Sequence, residues 1–575
     1  MPETQVQLTN KTYIQWGGQQ VTLGTDNVFT TYDIFIQDRQ NGLFEFDSLE
    51  DLENMNPYRY VRDAPKGSLT PYVKQDVLDL SLFAQTEFNA LPRLSTVLGL
   101  RYDVTMFLRE ADYNPLLDET FGIRTDRPIP IDWTHLQPRV QLTWDIRGDR
   151  SEVLRAGGGA FMGQPHHAPF YNVVMASGVN FAEIILNDEE IPTPDFDSYR
   201  SDPTTIPGVP EGASTAPTPV ELISPDYRAP RTWKFNVAYQ RRVLDYLTLG
   251  ANLLYSRTTN NYHYFLRNLV EEPYFTLANE QDRPVFVPPE TVTEEGRTNP
   301  LDSRISDEVG TIEELVSEGG LRQKALILDA QVDLPQGSSL GMSYTWNDTR
   351  DNSNYQCCLS QTAQGTPIAG DPRELQWGQS LWTFRHKLSI YGSLPPIYGF
   401  RISGRYVGQS GSPYSLMVAG DINGDGNMLG NNDLAFVFDP DDPSTPPEIA
   451  ETMRRVLDDP DNLARDYIRD NLGRIAERNG GASPWSGRID LRVSRSLPTV
   501  RGQSVELVAD IFNLANLLNS EWGGRYNLGG KRTLLNVRGF DQESSEYIYE
   551  VNENVGTVRM SGDPYQIQVG LRYAF

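Results

Sequence analysis

The residues best placed to do chemistry are Asp421-Ile-Asn-Gly-Asp-Gly426, with Asn427, Asn431, Asn432 and Asp433 close behind. Oxygen donors at the first, third and fifth positions, then a glycine for a sharp turn, are how a loop wraps a hard cation such as calcium. Asp421, Asn423, Asp425 and Asp433 are the candidate ligands. The twelfth position is Asn432 and not the bidentate glutamate of an EF-hand, and Asp433 comes one residue late. A solvated turn rich in Asn, Asp and Gly is the competing reading. The His166-His167 pair could hold a transition metal, but no spaced acid or cysteine accompanies it. Cys357 and Cys358 are adjacent, so they either close a vicinal disulfide or stay free thiols, and they encode no disulfide framework or zinc site. No carboxylate pair or nucleophile–base pair falls at a defined spacing, so catalysis is not the reading.

The elements that must position these residues are strands. Only 38% of residues are hydrophobic, mean hydropathy is -0.47, and no run of about 18 apolar residues occurs, which excludes helical membrane spans. A transmembrane barrel is not excluded, because alternation dilutes its apolar residues, and 28 Tyr, 23 Phe and 9 Trp suit strands and aromatic girdles. A net charge of -27 argues against nucleic acid as a partner. The amino-terminus lacks a charged segment followed by an apolar one, so no signal peptide is read there.

Alternating runs arrive in pairs: 4–16 with 20–35, 77–91 with 94–108, 136–146 with 153–162, 227–241 with 247–255, 324–334 with 339–347, 382–394 with 400–406, and 488–497 with 504–514. A last strand, 565–575, stands alone. There Tyr565, Ile567, Val569, Leu571, Tyr573 and Phe575 share one face, and Gln566, Gln568, Gly570, Arg572 and Ala574 the other. Each pair is closed by a few residues, whereas successive pairs are separated by long polar stretches. An outer-membrane barrel has that asymmetry, with short periplasmic turns and long extracellular loops. The fold expected is therefore all-β, an antiparallel transmembrane β-barrel of about fifteen strands. Since bacterial barrels have even strand counts, the chain is expected to be the carboxy-terminal part of a larger one. Two smaller expectations concern helices: a turn over 48–52 capped by Ser48, and two amphipathic helices within 448–477 broken at Asp459-Pro460. The latter lie in a long extracellular loop, 416–484, together with the calcium motif. Lumen-facing Arg488, Asp490, Arg492 and Asp510 are expected to solvate the interior and pair with one another.

Several stretches together resemble the TonB-dependent outer-membrane receptors, in particular the Oar-like type with a carboxypeptidase-regulatory-like amino-terminal domain. They are Leu82-Phe-Ala-Gln85, Leu98-Gly-Leu-Arg-Tyr-Asp103, Leu136-Gln-Pro-Arg139, Ser343-Tyr-Thr-Trp346, Gly473-Arg-Ile-Ala-Glu-Arg-Asn479 leading to Ser483-Pro-Trp485 and Ile489-Asp-Leu491, and Ile511-Phe-Asn-Leu-Ala-Asn516. Individually each is unspecific; their order along nearly the whole chain is not. The resemblance implies a barrel of about 22 strands, an internal plug, TonB-driven import of an unidentified ligand, and a bacterial outer-membrane address among lipid and lipopolysaccharide. It also implies that Leu571, Tyr573 and Phe575 form the terminal signal read by the barrel-assembly machinery. No TonB box, plug or first several strands are found, so residues 1–575 read as barrel alone. A passive porin-like or adhesive barrel is the alternative, and a soluble carbohydrate-active β enzyme a more distant one.

Overall fold

The computed structural model describes residues 3–17, 19–34, 42–46, 48–65, 73–163, 165–187, 191–202, 205–206, 215–216, 219–354, 360–426, 432–497 and 503–574. Its main element is one sheet whose long strands follow chain order. They are β1 (Glu3–Trp16), β2 (Gln19–Ile34), β3 (Val73–Leu91), β4 (Leu94–Phe107), β5 (Leu136–Asp145), β6 (Glu152–Met162), β7 (Arg231–Leu244) and β8 (Leu247–Leu266). The series continues through β9 (Ile312–Leu334), β10 (Ser338–Asp351), β11 (His386–Ser393), β12 (Phe400–Gln409), β13 (Ser486–Leu497), β14 (Ser504–Phe512) and β15 (Gln566–Ala574). Each pairs antiparallel with the next, and two short strands, Val220–Ile223 and Gly378–Gln379, bring the sheet to 17. Among the described residues β1 pairs only with β2, and β15 only with β14.

These segments become strands because their apolar residues recur at every second position and their pairs close tightly. Gly17 takes a φ of 56° at the first turn, a conformation open to glycine. The connections 35–72, 108–135, 163–230, 267–311, 352–385, 410–485 and 513–565 all leave from the opposite end. The register then assigns every strand one apolar and one polar face. Along β7 and β8, Trp233, Phe235, Val237 and Tyr239 pair with Arg257, Tyr255, Leu253 and Ala251, while Lys234, Asn236 and Ala238 pair with Ser256, Leu254 and Asn252. The apolar face carries large exposed side chains from end to end, including Leu253 at 59% and Val569 at 76%. In water such a belt would be an uncompensated apolar surface; in a bilayer it meets hydrocarbon. The polar face looks inward: Tyr32 of β2, Val77 of β3, Phe107 of β4 and Leu315 of β9 all reach one buried cluster, which requires the sheet to roll around it.

All seven strand pairs and the lone closing strand occur where the alternation places them, with shifted ends. The strand beginning at 227 starts at Arg231, that at 382 starts at His386, and that ending at 514 stops at Phe512, where Asn513 turns left-handed at φ 53° into the helix Leu514–Leu518. The largest difference is β9, which begins at Ile312 instead of 324. Its outer residues Ile312, Glu313, Glu314, Leu315 and Val316 are all buried, so both faces are covered and alternation disappears. At about 3.3 Å per residue, β8 and β9 extend far beyond the ten or so residues that cross a bilayer. They carry structure built by the long connections.

That structure has its own core. Pro413–Ala419 pairs with Lys531–Asp541, which pairs with Glu546–Val551, and buried Leu277, Val287, Leu416, Val418, Met453, Ile468 and Leu535 pack around this small sheet. The helices Pro447–Asp458 and Arg465–Arg469 flank it on either side of Asp459-Pro460, burying Met453, Val456, Tyr467 and Ile468. Leu463 stays 38% exposed. The helix Leu49–Glu53 is capped by Ser48, whose Oγ accepts from Asp51 N at 3.1 Å.

Candidate functional site

The lumen wall is lined by charges that mostly answer one another. Arg488 Nε donates to Asp490 Oδ1 at 2.7 Å, Arg492 is bidentate to Asp510 at 2.6 and 2.8 Å, and Arg101 Nε donates to both oxygens of Asp103 at 2.9 Å. Bidentate geometry fixes both partners and leaves the wall polar without a large unpaired field.

At the outer end a short helix, Ala168–Met175, sits against this wall from inside. Phe170 stacks on Phe107 with centroids 3.9 Å apart, and Gln75 Nε2 donates to Phe170 O at 3.2 Å. Val77 and Phe107 are lumen positions, so the helix occupies the mouth. Its burying residues Phe170, Val173 and Val174 stand at helical spacing inside a segment otherwise rich in Pro, Asp and Glu, a signal too short to stand out. The histidine pair divides here. His167 Nδ1 shares a hydrogen bond of 2.8 Å with Tyr32 OH, with Asp79 4.0 Å from Nε2, whereas His166 is exposed.

Two carboxyls stand beside the helix on neighbouring parallel strands, Glu221 in register with Glu313. Asn172 of the helix donates to Glu221 at 3.4 Å and Gln364 to Glu313 at 2.6 Å. Both acids are pushed above the usual carboxylate range, by burial first and, for Glu221, by the charge of Glu313. The folded state therefore holds protons that the unfolded chain releases above 4.5. Raising the pH from about 5 to about 8 is expected to weaken the seat of the helix. Amide exchange over residues 168–175, corrected for intrinsic rates, should show protection falling with pH and the fall flattened in Glu313→Gln; equal protection at both values would exclude the effect.

In the outer module the calcium motif forms a tight loop. Asp421 accepts from Gly424 N at 2.7 Å and Gly426 N at 3.1 Å, Asn423 Nδ2 donates to Gly370 O at 2.7 Å, and Asn432 Nδ2 donates to Asp425 Oδ2 at 2.8 Å. Asp433 Oδ2 accepts from Ile422 N at 3.0 Å, and its Oδ1 lies 3.5 Å from Arg283. The motif's residues thus share one corner. Among the described residues, no three His, Cys, Asp or Glu converge closely enough to hold a metal ion. Burial and the nearby Asp425 and Asp433 push Asp421 well up, and burial raises Asp433 to about 7 against the pull of Arg283.

Sequence alone did not point to Arg283. It is completely buried, donating to Glu280 at 3.0 Å and Leu434 O at 2.6 Å, while Tyr549 OH donates to the other Glu280 oxygen at 2.5 Å. A second buried arginine, Arg478, lies in the Gly473–Asn479 motif. Its guanidinium donates to Asp351 O and Oδ1 at 2.6 and 2.5 Å and to Asn354, clasping the outer module to the end of β10. Beside this clasp a cavity of about 790 Å³ opens between module and wall, lined in part by Arg350, Trp377, Arg385 and His386. Cys357, Cys358 and Phe575 lie outside the described residues; Leu571 and Tyr573 are on the apolar face of β15, 65% and 49% exposed.

An apolar outer belt, a polar inner face, short turns at one end and folded loops at the other define a membrane-spanning β-barrel. The chain belongs to the outer membrane beta barrel domain family, whose pattern it matches over residues 1–524, and its place is the bacterial outer membrane. Solved structures similar to it include the outer membrane transporter YddB from Escherichia coli, at 10% identity and TM-score 0.44, covering 95% of this chain and 61% of that one. The FrpB iron transporter from Neisseria meningitidis (F3-3 variant) gives 8% and 0.45, covering 99% and 54%. BauA, the ferric preacinetobactin receptor from Acinetobacter baumannii, gives 10% and 0.40, covering 99% and 54%. The chain thus spans less than two thirds of each of these structures. A search of curated proteins gave no match.

Proposed function

We propose that this chain is the barrel region of a TonB-dependent receptor of the Oar-like type, importing a ligand that its long loops select. The observation that carries the reading is the pairing of the wall. Fifteen strands are hydrogen-bonded in series, yet β1 and β15 each use one edge only among the described residues. A strand edge cannot be left bare in hydrocarbon, and an odd count does not close an antiparallel bacterial barrel. On this reading further strands complete the wall and give a bore wide enough for a plug. On this reading the plug couples the barrel to the TonB system, the barrel-assembly machinery inserts it through the signal at Leu571, Tyr573 and Phe575, and lipopolysaccharide surrounds its outer half. A passive porin-like barrel would instead close on itself. The intact mass of the protein in native outer membranes separates the two: a receptor exceeds 64.8 kDa by a plug and several strands, whereas a mass of 64.8 kDa would favour the pore.

Calcium bound by Asp421, Asn423, Asp425 and Asp433 is part of the same reading. Its support is the motif together with a charge imbalance, since Glu280, Asp421, Asp425 and Asp433 gather where Arg283 and Lys531 supply the positive charge. In addition Asn432, 1% exposed, has an Oδ1 with no hydrogen-bond partner. Calorimetric titration of calcium into the folded protein should give heat that disappears in Asp421→Ala and Asp425→Ala; no heat with the parent rules the site out.

A further inference from the structure

One row across the lumen wall departs from the paired pattern. Gly99 of β4 stands opposite Arg139 of β5, Arg139 opposite Gly159 of β6, and Gly159 opposite Lys234 of β7. On the same face of β6, toward the short turns, lie Gly157 and then Arg155, paired with Asn236 and Ala238. Glycine within a strand loses packing and entropy, and it often marks a place where something approaches the backbone closely. Packing does not demand it at Gly99, where an added Cβ would meet nothing nearer than 3.9 Å. At Gly159 a Cβ would stand 2.8 Å from Pro138 O and 2.9 Å from Arg139 Cγ, so there the close strand packing requires glycine and Arg139 lies against its backbone. Beside this row opens a hollow of about 520 Å³ with Gly99 and Gly157 in its lining, within the size range of small-molecule sites.

Around it are three cations. Phe161, next outward on β6, holds Arg139 Cζ 4.5 Å and Lys234 Nζ 5.6 Å from its ring centroid, and Arg155 closes the opposite end. Arg139 donates to Gln137 Oε1 at 3.0 Å. Among the described residues none of the three forms a salt bridge, whereas the lumen arginines 101, 488 and 492 each hold an aspartate. Asp103 lies within electrostatic reach of Arg139 but is held by Arg101; in a chain of net charge -27, three cations without a salt bridge around a cavity are a concentrated positive site.

We infer that this hollow is a subsite for a small, multiply charged oxyanion, bearing carboxylate or phosphate groups, on the path through the lumen. The arginines present forked donors suited to such groups, Lys234 adds a point charge, and Gly99 and Gly157 in the lining admit the ligand against the wall. The inference rests on the lumen being the transport path and names the class of group that the cargo carries.

Calorimetric titration of the intact protein, purified from native outer membranes into detergent at low salt, tests it, with inorganic pyrophosphate and citrate as separate probes. At least one should bind saturably, one per chain, and which one binds tells phosphate from carboxylate. Arg155→Gln combined with Lys234→Gln should weaken binding about tenfold or more. Gly99→Leu, which fills the hollow and removes no charge, should also weaken it. Lys387→Gln, removing a lumen cation on β11, should leave it unchanged. Absence of saturable binding by both probes, or an equal loss in Lys387→Gln, overturns the subsite. Heat-modifiable gel mobility confirms that each variant retains its wall. A negative result here leaves the intact-mass test of the receptor reading standing.

Discussion

Replacing Arg283 by alanine is expected to unfold the outer module while leaving the wall assembled. The guanidinium is fully buried and serves Glu280, Asp433 and the Leu434 carbonyl together. Its removal strands the carboxylate of Glu280, which Tyr549 alone would then satisfy. Orphaning one member of a buried ion pair costs about 3–5 kcal/mol, comparable with the stability of a small module. Hydrogen exchange should show lost protection over Pro413–Ala419 and Lys531–Asp541, with wall strands and heat-modifiable gel mobility unchanged. If the cost is the stranded charge and not lost volume, Arg283→Met with Glu280→Gln should recover a good part of it. Parent-like protection in Arg283→Ala would show that the cluster does not hold the module together.

The second large effect concerns the faces of the wall. Leu253 of β8 points outward and is 59% exposed, while its neighbour Asn252 points inward beside Ala238. Leu253 lies about 20 Å along the strand from its short turn, which with the usual tilt is near the bilayer centre. Leu253→Arg is therefore expected to cost about 2–4 kcal/mol of barrel stability, and Asn252→Arg little, because its charge enters the watery lumen. Outer-membrane yield and urea-unfolding midpoints of the two variants measure this. Equal penalties would mean that the faces do not differ in their surroundings.

Most of the wall could be read from residue order because lipid on one side and water on the other impose strict alternation, and every strand from β1 to β15 carries it. Legibility ended where that boundary ends. The outer part of β9 is buried on both sides, so Ile312 to Val316 show no period, and the strand was expected to start twelve residues later than it does. The helix Ala168–Met175 occupies barely two turns, and only tertiary contact with Phe107 and Gln75 shows that it fills the mouth. Asp459-Pro460 announced the break between two amphipathic helices, since proline cannot continue the first. The Asp421 loop was visible as a motif of oxygen donors and turn glycines. Arg283 and Arg478 were not, because an arginine's value here comes from partners brought in by other loops: Tyr549 and Asp433 for the first, Asp351 for the second. The hollow at Gly99 and Gly157 was equally hidden, since only strand register brings those glycines beside Arg139 and Lys234.

The central claim is that one face of this sheet meets lipid and the other water, and fluorescence quenching along one strand tests it most directly. With Cys357 and Cys358 replaced by serine, single cysteines at positions 233 to 240 of β7 would be labelled in reconstituted bilayers. The residues at 233, 235, 237 and 239 should be quenched by spin-labelled lipid, and those at 234, 236, 238 and 240 by aqueous iodide, in strict alternation. Iodide quenching at all eight positions, or lipid quenching at none, would contradict a membrane-spanning wall.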